Sequence, residues 1–152
     1  MAKTPNSIQD ITRELDFGPL TDLVGYRLRK AQIAAYQGFM TGQDAPGLTP
    51  GQVGVLILID RNPALTQQTL SYGIGVDKST LVATLDRLTE RGLIRRVRSA
   101  VDRRQNELRL TPKGKKTLHD ALGYIDRHEM NLTSRLSADE RETLITLLHK
   151  IG

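Results

Sequence analysis

The 152-residue chain has no cysteine and no tryptophan, and only two phenylalanines and four tyrosines. Without a thiol there is no disulfide, no thiolate zinc site and no cysteine-based redox sensing. With aromatics at 4%, a core must come mainly from Leu, Ile, Val and Ala, which suits packed helices. No apolar run approaches the roughly 18 residues that span a bilayer, and "MAKTPNSIQDITRELD" holds no apolar signal core, so the expected location is the cytoplasm. Histidines are few. His119 and His128 share one helical stretch but point to opposite sides at about 100° per residue, and His149 is far off in sequence, so no metal site is expected. "GIGVDKST" lacks the Gly-Lys-Ser/Thr ending of a phosphate loop. No Ser-His-Asp or paired-carboxylate frame is present either. The sequence therefore offers no catalytic residue and no cofactor site, and it does not read as an enzyme.

What is present is positive charge in one place. The net charge is +5. From Asp77 to Lys116 there are twelve Lys/Arg against five Asp/Glu, whereas the rest of the chain holds ten against twelve. All the excess thus lies in one 40-residue segment, the footprint expected of a polyanion partner. Six arginines fall between Leu93 and Arg109 alone.

Periodicity and capping residues divide the chain into mostly helical pieces. "SIQDITREL" places Ile8, Ile11 and Leu15 at helical spacing, with Ser7 and Asp10 forming a box-like start. A longer helix is expected after Pro19, with Leu20, Leu23, Val24, Leu28, Ala31 and Ala35 as its apolar stripe, ending near residue 41. Thr49, Pro50 and Gln52 open a helix that is apolar almost all round and stops at Asn62-Pro63. Two short helices follow, capped by Thr66 and Asp77, with Gly73 and Gly75 permitting the turn between them and Gly92 closing the second. This is a helix–turn–helix pattern. Next comes a hairpin in which Ile94 and Val97, with an irregularity between them, and Leu108 and Leu110 face inward, and residues 99–106 form the tip. Thr111-Pro112 starts a helix running to about Arg135, and a capping box from Ser137 to Glu140 starts the last one, whose apolar residues are Leu144, Leu147, Leu148 and Ile151. With no repeats and no low-complexity linker, residues 1–152 read as one domain: mainly α with a small β-hairpin wing.

The helix from Asp77 to Arg91 buries Leu81, Leu85 and Leu88 on one stripe and carries Lys78, Ser79, Thr80, Thr84 and Arg87 on other faces. Small polar and long basic residues on the outer face of such a helix are what major-groove reading requires. In the hairpin, Arg98, Arg103 and Arg104 flank or occupy the tip beside Asp102. Arginines there are suited to the negative minor groove, and a neighbouring aspartate can hold a guanidinium in a planar pose. Arg95, Arg96 and Arg109 suit phosphate contact or plain solvation.

The stretch "VDKSTLVATLDRLTERGLIRRVRSAVDRRQNELRLTPKGKK" resembles the central region of the MarR family of bacterial transcriptional regulators. The "DKSTL" helix, the "DRR" tip and the following "LTPKG" match that family's pattern in order and spacing, most strongly over residues 49–118. The resemblance implies a winged helix–turn–helix over about 49–112. It also implies a homodimer built through helices at about 7–41 and 111–152, gripping a pseudo-palindromic double-stranded DNA operator. By the family pattern, DNA contacts fall to Lys78, Ser79, Thr80, Thr84 and Arg87, and the wing's Asp-x-Arg to Asp102 and Arg104, with Arg103 an added basic residue. It further implies a repressor released by a small phenolic or carboxylate ligand, or a CoA thioester. In this chain that points to the first long helix, around Tyr26, Arg27, Arg29, Lys30 and Tyr36. A peroxide sensor would need a cysteine, and a zinc sensor clustered ligands. The competing reading is a winged-helix module whose basic wing meets an acidic protein rather than DNA.

Overall fold

The computed structural model describes residues 15–74, 77–99 and 106–152. Its α-helices are α1 (Val24–Thr41), α2 (Pro50–Arg61), α3 (Gln67–Ile74), α4 (Lys78–Glu90), α5 (Pro112–Leu132) and α6 (Ala138–Ile151). Two strands, β1 (Ile94–Arg98) and β2 (Asn106–Leu110), pair antiparallel between α4 and α5. Among the described residues no helix is long and apolar enough to cross a membrane. By its contacts the chain divides into two units, Met1–Ala35 and Tyr36–Gly152.

In the first unit, the helix expected after Pro19 opens differently. Pro19 lies at the start of a 3-10 turn, Gly18–Asp22, and α1 begins only at Val24. Leu23 is extended between them, so the backbone breaks where an unbroken stripe was expected. Asp16 accepts the Gly18 N–H at 2.8 Å, and the Arg27 Nε donates to the Thr21 carbonyl at 2.6 Å, tying the turn to the first turn of α1. Phe17 and Tyr26 pack with ring centroids 6.3 Å apart. Of the expected stripe, Leu20, Leu23, Val24 and Ala31 are exposed and Leu28 and Ala35 half-buried. Ser7, Ile8, Asp10 and Ile11 lie outside the described residues. Leu15 is non-helical and exposed.

The second unit holds the core. Its buried residues are mostly leucines, with Val53, Val55 and Ile59 from α2 and only Phe39 and Tyr124 as aromatics, as the aromatic-poor composition requires. The α2 capping box forms as expected: Thr49 accepts the Gln52 N–H, and Gln52 returns the bond to the Thr49 N–H. Helix α2 packs on β2 and α5. Gly73 is a correction. It sits inside α3 and opens no turn, while Gly75 lies outside the described residues.

Tyr124 joins the end of α1 to α5. Its hydroxyl donates to the Phe39 carbonyl at 2.6 Å. That carbonyl lies in the last turn of α1, where intrahelical donors run out, so the tyrosine acts as a side-chain cap. Phe39 meets Tyr124 edge-on at 5.0 Å and His128 at 5.4 Å, and His128 stacks on Tyr124. His128 is thus part of a ring cluster and His119 is exposed. Among the described residues no group of His, Cys, Asp or Glu is placed to hold a metal.

Helix α6 has its Ser137–Glu140 capping box but no buried residue. Leu144, Leu147, Leu148 and Ile151 are all at least 40% exposed, as are Leu122 and Leu132 on α5. The apolar residues expected on the last helix thus face solvent in the single chain, whereas α5 buries Leu118 and Ala121 and leaves Leu122 and Leu132 outside.

Candidate nucleic-acid interface

Helix α3 starts at Thr66, whose hydroxyl accepts the Thr69 N–H at 3.1 Å, and it anchors itself through Leu70. Helix α4 starts at Asp77, whose carboxylate accepts the Thr80 N–H at 2.9 Å. Leu81, Leu85 and Leu88, each 1% exposed or less, fix its inner face. The end of α4 is fixed as firmly. Gly92 has φ +67°, a left-handed conformation open to glycine at little cost. Its N–H donates to the Thr89 carbonyl at 2.8 Å, and the Leu93 N–H reaches the Leu88 carbonyl at 2.9 Å. These are the two bonds of a Schellman cap, with the buried pair Leu88 and Leu93 beneath it.

Anchored this way, α4 turns Lys78, Ser79, Thr80 and Arg87 outward, with Thr84 half-buried between them. Five of the nine expected contact residues therefore lie on one helix. The hydroxyls are already engaged. Ser79 Oγ donates to the Asp77 carboxylate, Thr80 Oγ1 donates to its other oxygen at 2.5 Å, and Thr84 Oγ1 donates to the Thr80 carbonyl at 2.9 Å. The Ser79 and Thr80 hydroxyls, with the Thr80 N–H, hold the Asp77 carboxyl well below the usual carboxylate range.

Over the described pairs of the wing, Ile94–Arg98 with Asn106–Leu110, the ladder has no bulge. Its register runs Ile94 with Leu110, Arg95 with Arg109, Arg96 with Leu108, Val97 with Glu107, and Arg98 with Asn106. Side chains alternate across a strand, so Ile94 and Val97 face opposite ways, and the irregularity expected between them is absent. The residue sharing the Ile94 face is Arg96. Its guanidinium reaches the Asp86 carboxylate of α4 at 2.7 Å, which is why a charge is tolerated there. On the other face, Glu107 is buried and accepts from Arg109 at 2.7 Å. Arg109 and Ser99 together lower the Glu107 pKa, Arg109 the more strongly. Two of the three arginines assigned to phosphate contact or solvation are therefore ion-paired within the chain, which leaves Arg95. Arg98 is exposed at the end of β1. Asp102, Arg103 and Arg104 lie outside the described residues.

β2 is bordered on both sides. Beyond β1, its Leu108 N–H donates to the Leu65 carbonyl at 2.8 Å, and Glu107 bridges to Thr66. This brings the start of α3 against the wing. Gln67 and Gln68 line one hollow with Arg96 and Asn106, and a second with Ser71, Tyr72 and Lys78. The polar face of α3 was missed in the sequence. Its one signal was Tyr72, 80% exposed in a chain with few aromatics to leave in water.

Of the residues around which a ligand was expected, Tyr26 is half-buried and Arg27, Arg29, Lys30 and Tyr36 are exposed. Arg27 already holds the Thr21 carbonyl through Nε.

A helix–turn–helix followed by a two-stranded antiparallel wing defines a winged helix–turn–helix protein, the architecture of many regulators that grip duplex DNA. The family model described as "MarR family" matches residues 47–105. A "putative transcriptional regulatory protein for hcr operon" from Thauera aromatica is 39% identical over 139 residues, which cover 91% of this chain and 84% of that one. The chain belongs to the MarR family of transcriptional regulators. Among solved structures it is similar to the transcriptional repressor CouR bound to a 23-mer DNA duplex. That match has 40% identity and a TM-score of 0.84, and covers 91% of this chain and 98% of that one. CouR bound to p-coumaroyl-CoA matches at 39% identity with a TM-score of 0.84, covering 91% and 97%.

Proposed function

We propose that this regulator is a homodimeric, sequence-specific repressor released by an aromatic carboxylate or its CoA thioester. The observation that carries the reading is the outer face of α4, with Lys78, Ser79, Thr80 and Arg87 exposed over a leucine-anchored inner face, in a chain 40% identical to a repressor solved on duplex DNA. In a two-fold dimer, two such helices enter successive major grooves about 34–36 Å apart. Arg98 and the tip residues Asp102, Arg103 and Arg104 then meet the flanking minor grooves. The exposed leucines of α5 and α6 supply the self-complementary apolar surface. For the effector, we assign Tyr26 and Arg29 on α1. Arg27 contributes only its Nη groups, because its Nε is taken. Likeness to CouR bound to p-coumaroyl-CoA supports that ligand class.

The test is anisotropy of labelled DNA from the protein's own promoter. A DNA-reading dimer gives saturable binding that weakens steeply with salt, since each phosphate contact releases condensed counterions. Arg87→Ala should relax discrimination between sequences, while Arg104→Ala should weaken binding to all of them. Sedimentation should give twice the 16.9 kDa chain mass. Added p-coumaroyl-CoA or a free aromatic acid should release the DNA. Salt-independent or absent DNA binding would instead favour a module that meets an acidic protein.

A further inference from the structure

The first turn of α4 carries a feature that exposure alone does not describe. A hydroxyl has one proton to donate and two lone pairs to accept with. Ser79 and Thr80 each spend that proton on a different oxygen of Asp77, and Thr84 spends its own on the Thr80 carbonyl. All three hydroxyls of this face are therefore left as acceptors. Phosphate oxygens, and the N7, O6 and O4 atoms of base edges, are acceptors too. The only major-groove partners left for these hydroxyls are exocyclic amines, adenine N6 or cytosine N4. Lys78 and Arg87 on the same helix have donors only. They suit the acceptor-rich edge of guanine.

Resting on the DNA-reading role proposed above, we infer that Asp77 is a specificity-setting residue: by holding the Ser79 and Thr80 protons, it makes these two side chains read base amines instead of phosphates or base acceptors. Asp77 stays an acceptor-only anion because the same two hydroxyls and the Thr80 N–H stabilise its charge. The N-cap of α4 and the reading of its operator are thus one device.

The geometry also says what a single substitution does. In Asp77→Asn, the amide oxygen keeps the place that accepts the Thr80 N–H, and asparagine is as good an N-cap as aspartate. The amide nitrogen then faces Thr80 Oγ1 and donates to it. The Thr80 proton is released outward, and that side chain changes from acceptor to donor. Ser79, bonded to the retained oxygen, keeps its sense.

The experiment selects duplexes from a random library with the full wild-type chain, then replaces single bases in the selected site. Purine in place of adenine, or 2-pyrimidinone in place of cytosine, removes only the amine. 7-Deazaadenine removes only the N7 acceptor. At the positions read by Ser79 and Thr80, loss of the amine should weaken wild-type binding about three- to tenfold, the worth of one hydrogen bond, and the deaza base should change nothing. Thr80→Val, which keeps the shape and deletes the hydroxyl, should abolish the amine dependence at one position. That comparison cancels any effect of the analogue on the duplex itself. In Asp77→Asn the same position should lose its amine dependence and, where its base is adenine, gain sensitivity to the deaza base. If no sequence is enriched, the DNA-reading role fails and this inference with it. An enriched site whose binding ignores amine removal, or whose amine dependence persists in Thr80→Val, overturns the inference alone. Circular dichroism verifies that Asp77→Asn is folded. Were it not, the wild-type and Thr80→Val analogue series still decides.

Discussion

Gly114→Ala adds one carbon where the start of α5 lies against the backbone following α4. A Cβ built on Gly114 would sit 1.9 Å from the Leu93 carbonyl oxygen and 2.9 Å from its carbon. Ordinary contact begins near 3.4 Å, so the two backbones must separate by about 1.5 Å. Of the hydrogen bonds that cross that gap, the two shortest made by Thr111 would be lost: its N–H to the Leu93 carbonyl at 3.0 Å, and its hydroxyl to the Gly92 carbonyl at 2.6 Å. Overpacking costs about 1–3 kcal/mol and each bond about 0.5–1.5. Alanine returns up to about 1 kcal/mol of helix propensity. The net loss should be about 2–4 kcal/mol, and a loss of about 3 kcal/mol lowers Tm by roughly 6–12 °C in a chain of this size. The assay is urea unfolding at one fixed protein concentration, because self-association would shift the midpoint. Gly123→Ala on the same helix is the control. Its Cβ would meet only the end of the Arg127 side chain at 3.9 Å, so it should be neutral or stabilise by up to about 1 kcal/mol. If the two variants unfold at the same urea concentration, the close approach of α5 to Leu93 is wrong.

Tyr124→Phe removes the hydroxyl that caps α1 and should cost about 0.5–1.5 kcal/mol by urea unfolding, with no change in m. Glu107 has a folded pKa below its ordinary value, so its pairing with Arg109 and Ser99 stabilises at neutral pH and is lost as pH falls from the ordinary carboxylate range through the folded value. Stability measured from about pH 6 down to about pH 3 should therefore fall less steeply in Glu107→Gln than in wild type. The remaining acid sensitivity should include that of Asp77, which is lowered in the same sense. A double-mutant cycle on Arg96 and Asp86, 34% and 50% exposed, should give a coupling of no more than about 1 kcal/mol. A larger coupling would mean that the wing and α4 are held together mainly by charge and not by their shared apolar face.

Capping chemistry made most of the boundaries legible. Thr49, Asp77, Thr111 and Ser137 each cap the helix they were expected to start, and Gly92 takes its left-handed position. Such signals are local, needing only three or four consecutive residues. What was misread depends on distant partners or on competition between neighbours. Gly73 is helical although glycine favours turns, because the helix around it is held by buried Leu70. Val97 was paired with Ile94 by hydrophobicity, but the Asp86 carboxylate, ten residues before Arg96, lets a charge take that face instead. Tyr124 was passed over because its partner lies 85 residues away. In the candidate site, helical period together with the family pattern grouped Lys78, Ser79, Thr80, Thr84 and Arg87. Which way their hydroxyls donate could not be read that way, since it follows from the position of two carboxylate oxygens of Asp77 and of the Thr80 carbonyl.

Thr111 takes part in three attachments at once. Its hydroxyl donates to the Gly92 carbonyl and accepts the Gly114 N–H, and its own N–H holds Leu93. The end of α4, the base of the wing and the start of α5 thereby meet at one hydrogen-bonded joint. In mechanical terms, the 21-residue α5 is a lever roughly 31 Å long, so a push of about 3 Å at its far end turns that joint by about 5°. Helix α4 and the wing share that joint, so a rotation of α5 about Thr111 would bear on both at once.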